Sequence, residues 1–148
     1  MAKFIQHQLF YPQSPEVVWG YLTVPELMAQ WLMPNDFKPV LGHEFQFRTK
    51  PMPALDFDGI IYCKVLEINP FKTLVYSWQF GPGDGTLHDS VVNWTLTGKD
   101  NGTELLLIHN GFDRTDTPIF AAMNAGWLQN INKILQLINA KTDGTTPA

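Results

Sequence analysis

The sequence has little charge, almost no cysteine and no long apolar stretch. Of its 148 residues only 16% are charged, against roughly 25% in an average soluble domain. Apolar residues make up 45% and aromatic residues 13%, the opposite of a disordered composition, so a folded core is expected. The single cysteine, Cys63, excludes an internal disulfide and a multi-cysteine zinc site, and is interpreted as a small core residue.

Basic clusters and export signals are also missing. The 10 Lys and Arg residues are scattered, and the formal net charge is −4, which argues against binding to nucleic acid phosphates. No apolar run approaches the length of about 18 residues that a membrane-spanning helix needs. The start of the chain soon turns polar, so no signal peptide is predicted. We therefore expect one cytoplasmic domain over residues 1–148, ordered from about 3 to 141, with a tail over 142–148.

The first part of the chain carries one strand signal and two helix starts. A strand is predicted over residues 3–11. Ser14-Pro15-Glu16 combines a hydroxyl N-cap, a proline in the first turn and an acid near the helix start. Thr23-Val24-Pro25-Glu26 repeats this signal, with Thr23 and Glu26 at the spacing of a capping box. Two short helices in tandem are expected.

Beyond residue 42 the apolar residues recur at every second position, and near the end of the chain they recur at the spacing of a helix. Alternating residues predict five further strands: around Phe45 and Phe47, over 57–68 (apolar on both sides), over 73–80, around 91–96 and around 105–110. Short links between them imply antiparallel pairing. An apolar stripe from Thr117 to Lys141 predicts one long helix. The predicted fold class is α+β: a curved antiparallel sheet of about six strands that grips the C-terminal helix.

This order resembles the helix-grip superfamily of START and birch-pollen-allergen-like domains. Within it, the chain looks most like the family homologous to the activator of the ninety-kilodalton heat-shock chaperone's ATPase. The resemblance covers residues 3 to about 141 and is carried by short stretches in a fixed order: Ser14-Pro15-Glu16-Val17-Val18-Trp19, Leu22-Thr23, Pro25-Glu26-Leu27, Gln30-Trp31, Gly42-His43-Glu44-Phe45, Phe57-Asp58-Gly59, Val65-Leu66-Glu67-Ile68-Asn69-Pro70, Leu74-Val75-Tyr76-Ser77-Trp78, Val92-Asn93-Trp94-Thr95-Leu96, Gly102-Thr103-Glu104-Leu105, His109-Asn110-Gly111-Phe112 and Gly126-Trp127.

The resemblance implies binding of an apolar small molecule. Members of the superfamily commonly hold an apolar cavity between the long helix and the sheet, and some are cyclases. The co-chaperone that gives the family its name has an additional N-terminal domain, for which 148 residues leave no room, so its chaperone role carries over poorly. The leading hypothesis is a binder of a lipid or aromatic ligand with no defined catalysis and no cofactor. The alternatives are a co-chaperone-like interaction module and a cyclase-type enzyme.

A large set of aromatic and apolar side chains is predicted to line this cavity. Tyr hydroxyls and Trp N–H groups would leave polar handles on its wall. The competing interpretation is a densely filled core, because each buried aromatic covers a large area. Gly126 is expected to let the helix approach another element closely. The predicted lining residues are Trp31, Phe47, Tyr62, Tyr76, Trp78, Trp94, Leu105, Leu107, His109, Met123 and Trp127.

Catalytic and metal signals are weak. No HExxH, GxSxG or P-loop motif occurs. His109 shares an apolar strand face, where a lone histidine is more often a hydrogen-bonded core residue than a base; with a Tyr or Asp it would be the base of the cyclase alternative. The glycines around His88 favour a solvated hairpin loop over a metal site, and Asp56 with Asp58 favours a turn over a catalytic pair. The expected partners are an apolar small molecule, or a chaperone or other protein, with the chain as monomer or homodimer.

Overall fold

The structure, a computed structural model, describes residues 4–112 and 117–142. The predicted tail lies outside these residues except for residue 142, at which the last helix ends. A short 3-10 helix, Pro53–Leu55, lies between the second and third strands. The other elements follow in the order β1 (Ile5–Tyr11), α1 (Pro15–Thr23), α2 (Pro25–Trp31), β2 (Glu44–Arg48), β3 (Ile60–Asn69), β4 (Thr73–Ser77), β5 (Val91–Lys99), β6 (Gly102–Asn110) and α3 (Pro118–Thr142).

The six strands form one curved antiparallel sheet in the order β1-β6-β5-β4-β3-β2. β1 and β6 are neighbours although most of the chain lies between them; the other neighbouring strands follow one another in sequence, β3–β4 and β5–β6 through short turns and β2–β3 and β4–β5 through longer connections. Asp100 and Asn101 join β5 to β6 with φ of 51° and 63°, as a tight turn matched to the strand twist requires. The predicted α+β class, with two short helices between β1 and β2 and a long C-terminal helix, is confirmed.

The two short helices begin in different ways. The Ser14 hydroxyl accepts a hydrogen bond from the Val17 amide at 3.4 Å, as predicted for an N-cap. The predicted capping box at the second helix is wrong, because the N-cap residue of α2 is Val24 and has no side-chain cap. Thr23 still belongs to α1, and its hydroxyl donates to the Trp19 carbonyl at 2.8 Å instead. Val24 is both the C-cap residue of α1 and the N-cap residue of α2, so Thr23 lies one residue too early to cap α2.

Strand β3 also departs from the prediction. It begins at Ile60, so Phe57 lies in the preceding connection rather than in the strand. Its first half alternates between the faces of the sheet: Ile61 and Cys63 are buried, whereas Tyr62 lies on the other face and is half-buried. The sequence predicts a strand that is apolar on both sides for much of its length; Ile60 and Tyr62 on the outer face are apolar but half-buried, so only the face of Ile61 and Cys63 belongs to the core. Cys63 is a buried free thiol whose pKa is raised, first by burial and then by Asp36, as expected for a core cysteine.

Helix α3 lies against the concave face of the sheet and is buried unevenly. In its C-terminal half Ile131, Ile134 and Ile138 are fully buried at the three- and four-residue steps of an apolar stripe. The Tyr11 hydroxyl donates to the Ile131 carbonyl at 2.7 Å and ties this half to β1. None of residues 118–126, which are all described, is fully buried. The N-terminal half of the helix therefore stands partly away from the sheet.

Candidate functional site

A pocket of about 220 Å³ opens beneath the N-terminal half of α3. Its walls come from five separate parts of the chain: α3, the residues that follow α2, the connection between β2 and β3, the start of β3, and the segment after β4. These parts meet because α3 crosses the concave face while the β2–β3 connection folds up beside it. β3 and the segment that follows β4 supply three floor residues, Trp127 of α3 and Phe57 of the β2–β3 connection complete the floor, and the rest of the helix and of the connection supplies the sides.

The floor of this pocket is apolar, largely aromatic and buried. Its side chains are between 3% and 7% exposed, so the rings are held by the core on one side and face the pocket on the other. The rings of Trp78 and Trp127 have centroids 5.2 Å apart and form its centre. The five floor residues are Phe57, Ile61, Trp78, Phe80 and Trp127.

The rim is built from flexible apolar side chains and two polar ones. Leu32, Met33 and Leu55 are half-buried, and Met52 is 42% exposed. From α3 come Ile119, Ala122, Met123 and Gly126. Thr49 and Asn130 are the polar members among the described lining residues, and no charged side chain occurs among those residues. Met side chains adapt to irregular shapes at little cost, so this rim suits entry of an apolar molecule.

A buried hydrogen-bonded chain lies directly beneath the two central tryptophans. The Trp127 indole N–H donates to His109 Nδ1 at 3.0 Å. His109 Nε2 lies 2.8 Å from the Ser90 hydroxyl, which in turn donates to the Trp78 carbonyl at 2.8 Å. Because Nδ1 is the acceptor, the proton of the neutral ring is assigned to Nε2, which donates to Ser90. These hydrogen bonds fix the indole ring of Trp127 and the backbone of Trp78.

This arrangement keeps His109 neutral and gives each of its ring nitrogens a hydrogen-bond partner. Its side chain is 0% exposed, and burial lowers its pKa to about 3. Its one free lone pair, on Nδ1, accepts the Trp127 N–H, so no position remains from which it could take a proton from a ligand. Burial also raises the pKa of Tyr76 and of Tyr11, the two phenols packed in the same core. The geometry therefore does not favour general acid–base chemistry by these residues near neutral pH.

The other buried indoles likewise satisfy their N–H groups inside the core. Trp31 donates to the Tyr21 carbonyl at 2.7 Å, and Trp94 donates to the Tyr76 hydroxyl at 2.9 Å. These bonds point the N–H groups of Trp31 and Trp94 away from the pocket. Together with the Trp127–His109 bond, they account for three of the polar handles that the sequence suggested for a cavity wall.

The eleven predicted lining residues occupy three kinds of position. Trp78, Met123 and Trp127 line the pocket. Tyr62 lies on the other face of β3 from Ile61, which does line the pocket. The remaining seven are at most 2% exposed and lie in the packed core beneath or beside it: Trp31, Phe47, Tyr76, Trp94, Leu105, Leu107 and His109.

Several pocket residues were not predicted from sequence. Met52, Leu55 and Phe57 lie in the β2–β3 connection, and nothing in the local pattern indicates that this connection folds against α3. Ile61 could have been found, because it alternates in phase with Cys63 and Val65, whereas the aromatic Tyr62 is out of phase. The expectation for Gly126 is wrong: a Cβ added there would meet nothing within 4 Å, since the residue faces the pocket rather than a close neighbour.

A second pocket of about 280 Å³ adjoins the first. The two share Leu55, Phe80, Ile119 and Met123 as lining residues, so these side chains form the partition between them. The lining of the second pocket differs from that of the first in having three side chains that hydrogen-bond strongly, Asp56, His88 and Thr117.

The two turn regions considered as alternatives behave as turns. Asp58 Oδ1 accepts the Ile60 amide at 3.1 Å, and Asp84 Oδ1 accepts the Thr86 amide at 2.9 Å. Asp89 accepts a hydrogen bond from the Gln79 side chain. Within residues 4–112 and 117–142, no three His, Cys, Asp or Glu side chains are grouped so that they could hold a metal ion.

Comparison with known proteins identifies the family. The sequence pattern of the family described as "Activator of Hsp90 ATPase homolog 1-like protein" matches residues 12–139. The chain belongs to this family. No functionally curated protein matches the chain significantly. In the described part of this family member, no helix is long and apolar enough to cross a membrane.

Solved structures are similar over nearly the whole chain. Protein MLL2253 from Mesorhizobium loti is 34% identical, with 93% of this chain and 97% of that chain covered and a TM-score of 0.81. The Aha1 dimer from Colwellia psychrerythraea is 23% identical, with coverage of 93% and 95% and a TM-score of 0.69. CalU16 from Micromonospora echinospora is 20% identical, with coverage of 90% and 74% and a TM-score of 0.71. The last two likenesses concern the fold alone.

Proposed function

We propose that this family member binds a small apolar molecule in the pocket between α3 and the sheet. The observation that carries the proposal is the aromatic floor: the Trp127 indole is hydrogen-bonded to His109 and the Trp78 backbone carbonyl accepts from Ser90, yet both rings line the pocket. Keeping large apolar surface next to solvent lowers stability, because burial of the same surface would stabilise the fold. A ligand that covers these rings recovers that stabilisation.

The size and lining of the pocket define the class of ligand. A volume of about 220 Å³ lies between the roughly 150 Å³ of an engineered cavity that holds benzene and the roughly 300–1,000 Å³ of drug-sized sites. The part of the ligand over the floor is therefore about one or two rings. No charge lines this pocket within the described residues, so an ionic group buried there would have no partner. The favoured ligand part is an uncharged ring system.

Binding without catalysis is favoured over a cyclase that uses His109. A general base must reach the proton it removes, and its lone pair must be available. His109 lies below the floor, and its available nitrogen accepts the Trp127 N–H. Release of that nitrogen would leave two buried polar groups unpaired, which costs on the order of 1–3 kcal/mol each.

Naphthalene is a suitable probe, and two leucine variants of α3 provide a matched test. Gly126 and Ala125 are neighbours on α3; Gly126 lines the pocket and Ala125 is exposed. Gly126→Leu should place its side chain in the pocket and abolish naphthalene binding, whereas Ala125→Leu adds a similar side chain on the outer side and should leave binding intact. Chemical shifts of the Trp127 indole N–H measure binding in all three proteins. Absence of binding to the wild type, or equal loss in both variants, would overturn the proposal.

A second candidate function is docking to a chaperone, which the family description suggests. The observation that favours it is the turn before β2, where Val40 and Leu41 are 56% and 65% exposed next to each other. Adjacent exposed apolar residues are typical of protein contact sites. The test is the ATPase rate of purified Hsp90 with the wild type and with a Val40→Ser/Leu41→Ser variant. Stimulation that this variant lacks supports docking; no stimulation by the wild type removes it.

A further inference from the structure

Resting on the proposed function, we propose that the ligand is an alcohol, with its ring system in the first pocket and its hydroxyl group in the second. The two pockets adjoin and share Leu55, Phe80, Ile119 and Met123, but their linings differ in character. A molecule that spans both would place an apolar part and a polar part at a fixed separation. That pattern defines an amphipathic ligand rather than a hydrocarbon.

The partition between the pockets consists mainly of side chains that are able to move. Met123 is half-buried on α3 and has three rotatable bonds, and Leu55 is half-buried at the end of the 3-10 helix. Phe80 is the one fully buried side chain of the partition, with 4% of its surface exposed. Its ring centroid lies 5.6 Å from that of His88. Phe80 leads from the aromatic floor to His88, and Met123 and Leu55 are the shared side chains that would move for one ligand to occupy both spaces.

The polar end is held in place by the local backbone. Asp56 follows the 3-10 helix directly and has φ of 54°, a left-handed conformation that aspartate tolerates better than most residues. His88 is anchored in the sheet, because its amide donates to the Phe80 carbonyl at 2.8 Å. Thr117 lies one residue before α3, and its hydroxyl accepts the Phe120 amide at 3.3 Å. Three short, fixed segments thus place Asp56, His88 and Thr117 around one space.

The chemistry of these three side chains selects a hydroxyl group. An ionised carboxylate only accepts hydrogen bonds, so Asp56 requires a donor and repels an anionic ligand. A neutral imidazole and a threonine hydroxyl both donate and accept. An alcohol matches this set because it donates to Asp56 and accepts from the Thr117 hydroxyl, whose oxygen already accepts the Phe120 amide. An ammonium group only donates, so it cannot accept from Thr117. A carboxylate group on the ligand is disfavoured.

Four probes with one ring system separate these possibilities: naphthalene, 2-naphthylmethanol, 2-naphthylmethylamine and 2-naphthoate. Dissociation constants are measured by equilibrium dialysis of the full chain at pH 7. One hydrogen bond to a charged group is worth about tenfold in affinity, so the alcohol should bind about tenfold more tightly than naphthalene. The carboxylate should bind more weakly than naphthalene. Tightest binding by the amine would overturn the assignment of an alcohol.

Two glycine variants provide the matched control. Asp56→Gly removes the carboxylate and keeps the left-handed backbone; Asp100→Gly does the same at an exposed turn with φ of 51°, between β5 and β6. Asp56→Gly should reduce the advantage of the alcohol over naphthalene, taken as the ratio of their dissociation constants in the same protein, to about twofold or less, because the charge-assisted hydrogen bond is lost. Asp100→Gly should leave this ratio unchanged. Naphthalene binding with no preference for the alcohol, or with a preference that Asp56→Gly leaves intact, overturns this inference alone, whereas no naphthalene binding overturns the proposed function.

Discussion

The two halves of helix α3 cover differently packed parts of one sheet. From Ile131 to Ile138 every residue on the inner stripe is buried, and below the helix Trp94 packs edge-on against both Trp31 and Trp127, with centroids 5.8 and 5.5 Å apart. From Pro118 to Gly126 the same helix has only half-buried or exposed residues and borders the two pockets. One half of the domain is filled and the other is open.

The boundary between the halves is a polar chain rather than a change in hydrophobicity. Trp127, His109 and Ser90 join α3, β6 and the residue before β5, and their hydrogen bonds end on the Trp78 carbonyl. Fixed polar geometry of this kind specifies side-chain positions more narrowly than apolar contacts do. It holds the Trp127 ring and the Trp78 backbone at the edge of the filled half, where the open half begins. The comparison predicts four effects of decreasing size.

The largest effect is expected in the filled half. Trp94→Ala removes a fully buried ring and should lower the free energy of unfolding by about 3–5 kcal/mol, because the surrounding core cannot collapse into the space. It also leaves the Tyr76 hydroxyl without its indole donor. Urea unfolding curves measure the loss. Addition of naphthalene should stabilise this variant no more than it stabilises the wild type. A loss below about 1 kcal/mol would mean that this half is not filled.

The second effect is the pH dependence that the boundary imposes. The pKa of His109 is lowered from 6.5 to about 3, so between these values the unfolded chain binds a proton that the folded chain does not. Its contribution to stability is present above pH 6.5 and is lost as the pH falls toward 3. Between pH 7 and pH 4 the loss from this group is about 3 kcal/mol.

His109→Gln isolates this contribution from the protonation of carboxylates. Glutamine accepts and donates hydrogen bonds but does not titrate, so the variant should lose correspondingly less stability than the wild type over the same pH range. Unfolding free energies from urea curves at pH 7, 6, 5 and 4 give both slopes. Parallel slopes for the two proteins would show that His109 is not held neutral in the folded state.

The third effect lies where the two halves meet. Trp127→Ala should lower the free energy of unfolding by about 2–3 kcal/mol, less than Trp94→Ala, because one side of the ring already faces the pocket. The variant should also lose naphthalene binding, since the ring is part of the floor. Urea curves of both proteins with and without naphthalene measure the two effects together. A loss as large as that of Trp94→Ala, with no change in binding, would place Trp127 in the filled half.

The filled half could be predicted from sequence and the open half largely could not. Period-two alternation places Phe47, Tyr76, Trp94 and Leu107 on one face of the sheet, and the apolar stripe of α3 covers that face. A packed core is a sum of such local patterns. The pocket exists only because of the way in which the β2–β3 connection folds beside α3. The sequence of this connection has no periodic pattern from which its path could be predicted.

Two residues show which features of the site cannot be predicted from local sequence patterns. Trp94 and Trp127 are both buried tryptophans that the sequence predicts to line the cavity, yet of the two Trp127 alone borders the pocket. The sequence indicates His109 as a polar residue of the cavity wall, but both of its ring nitrogens form hydrogen bonds within the core, to Trp127 and Ser90. The partners of a buried polar group come from distant parts of the chain, so they are fixed by tertiary packing and not by local pattern.

The smallest effect is expected in the open half and has the opposite sign. Gly126→Ala places a methyl group where no atom lies within 4 Å, and alanine is favoured over glycine inside a helix by about 0.5–1 kcal/mol, so the free energy of unfolding should rise by that amount. Gly20→Ala in α1 is the matched control, since its Cβ would meet only Leu27 Cδ1, at 3.8 Å. Thermal and urea unfolding of both variants measure the gain. Because the methyl group enters the pocket in one variant only, Gly126→Ala alone should also weaken naphthalene binding. A loss of stability at Gly126 would mean that the N-terminal half of α3 is packed after all, and the distinction between the halves would fail.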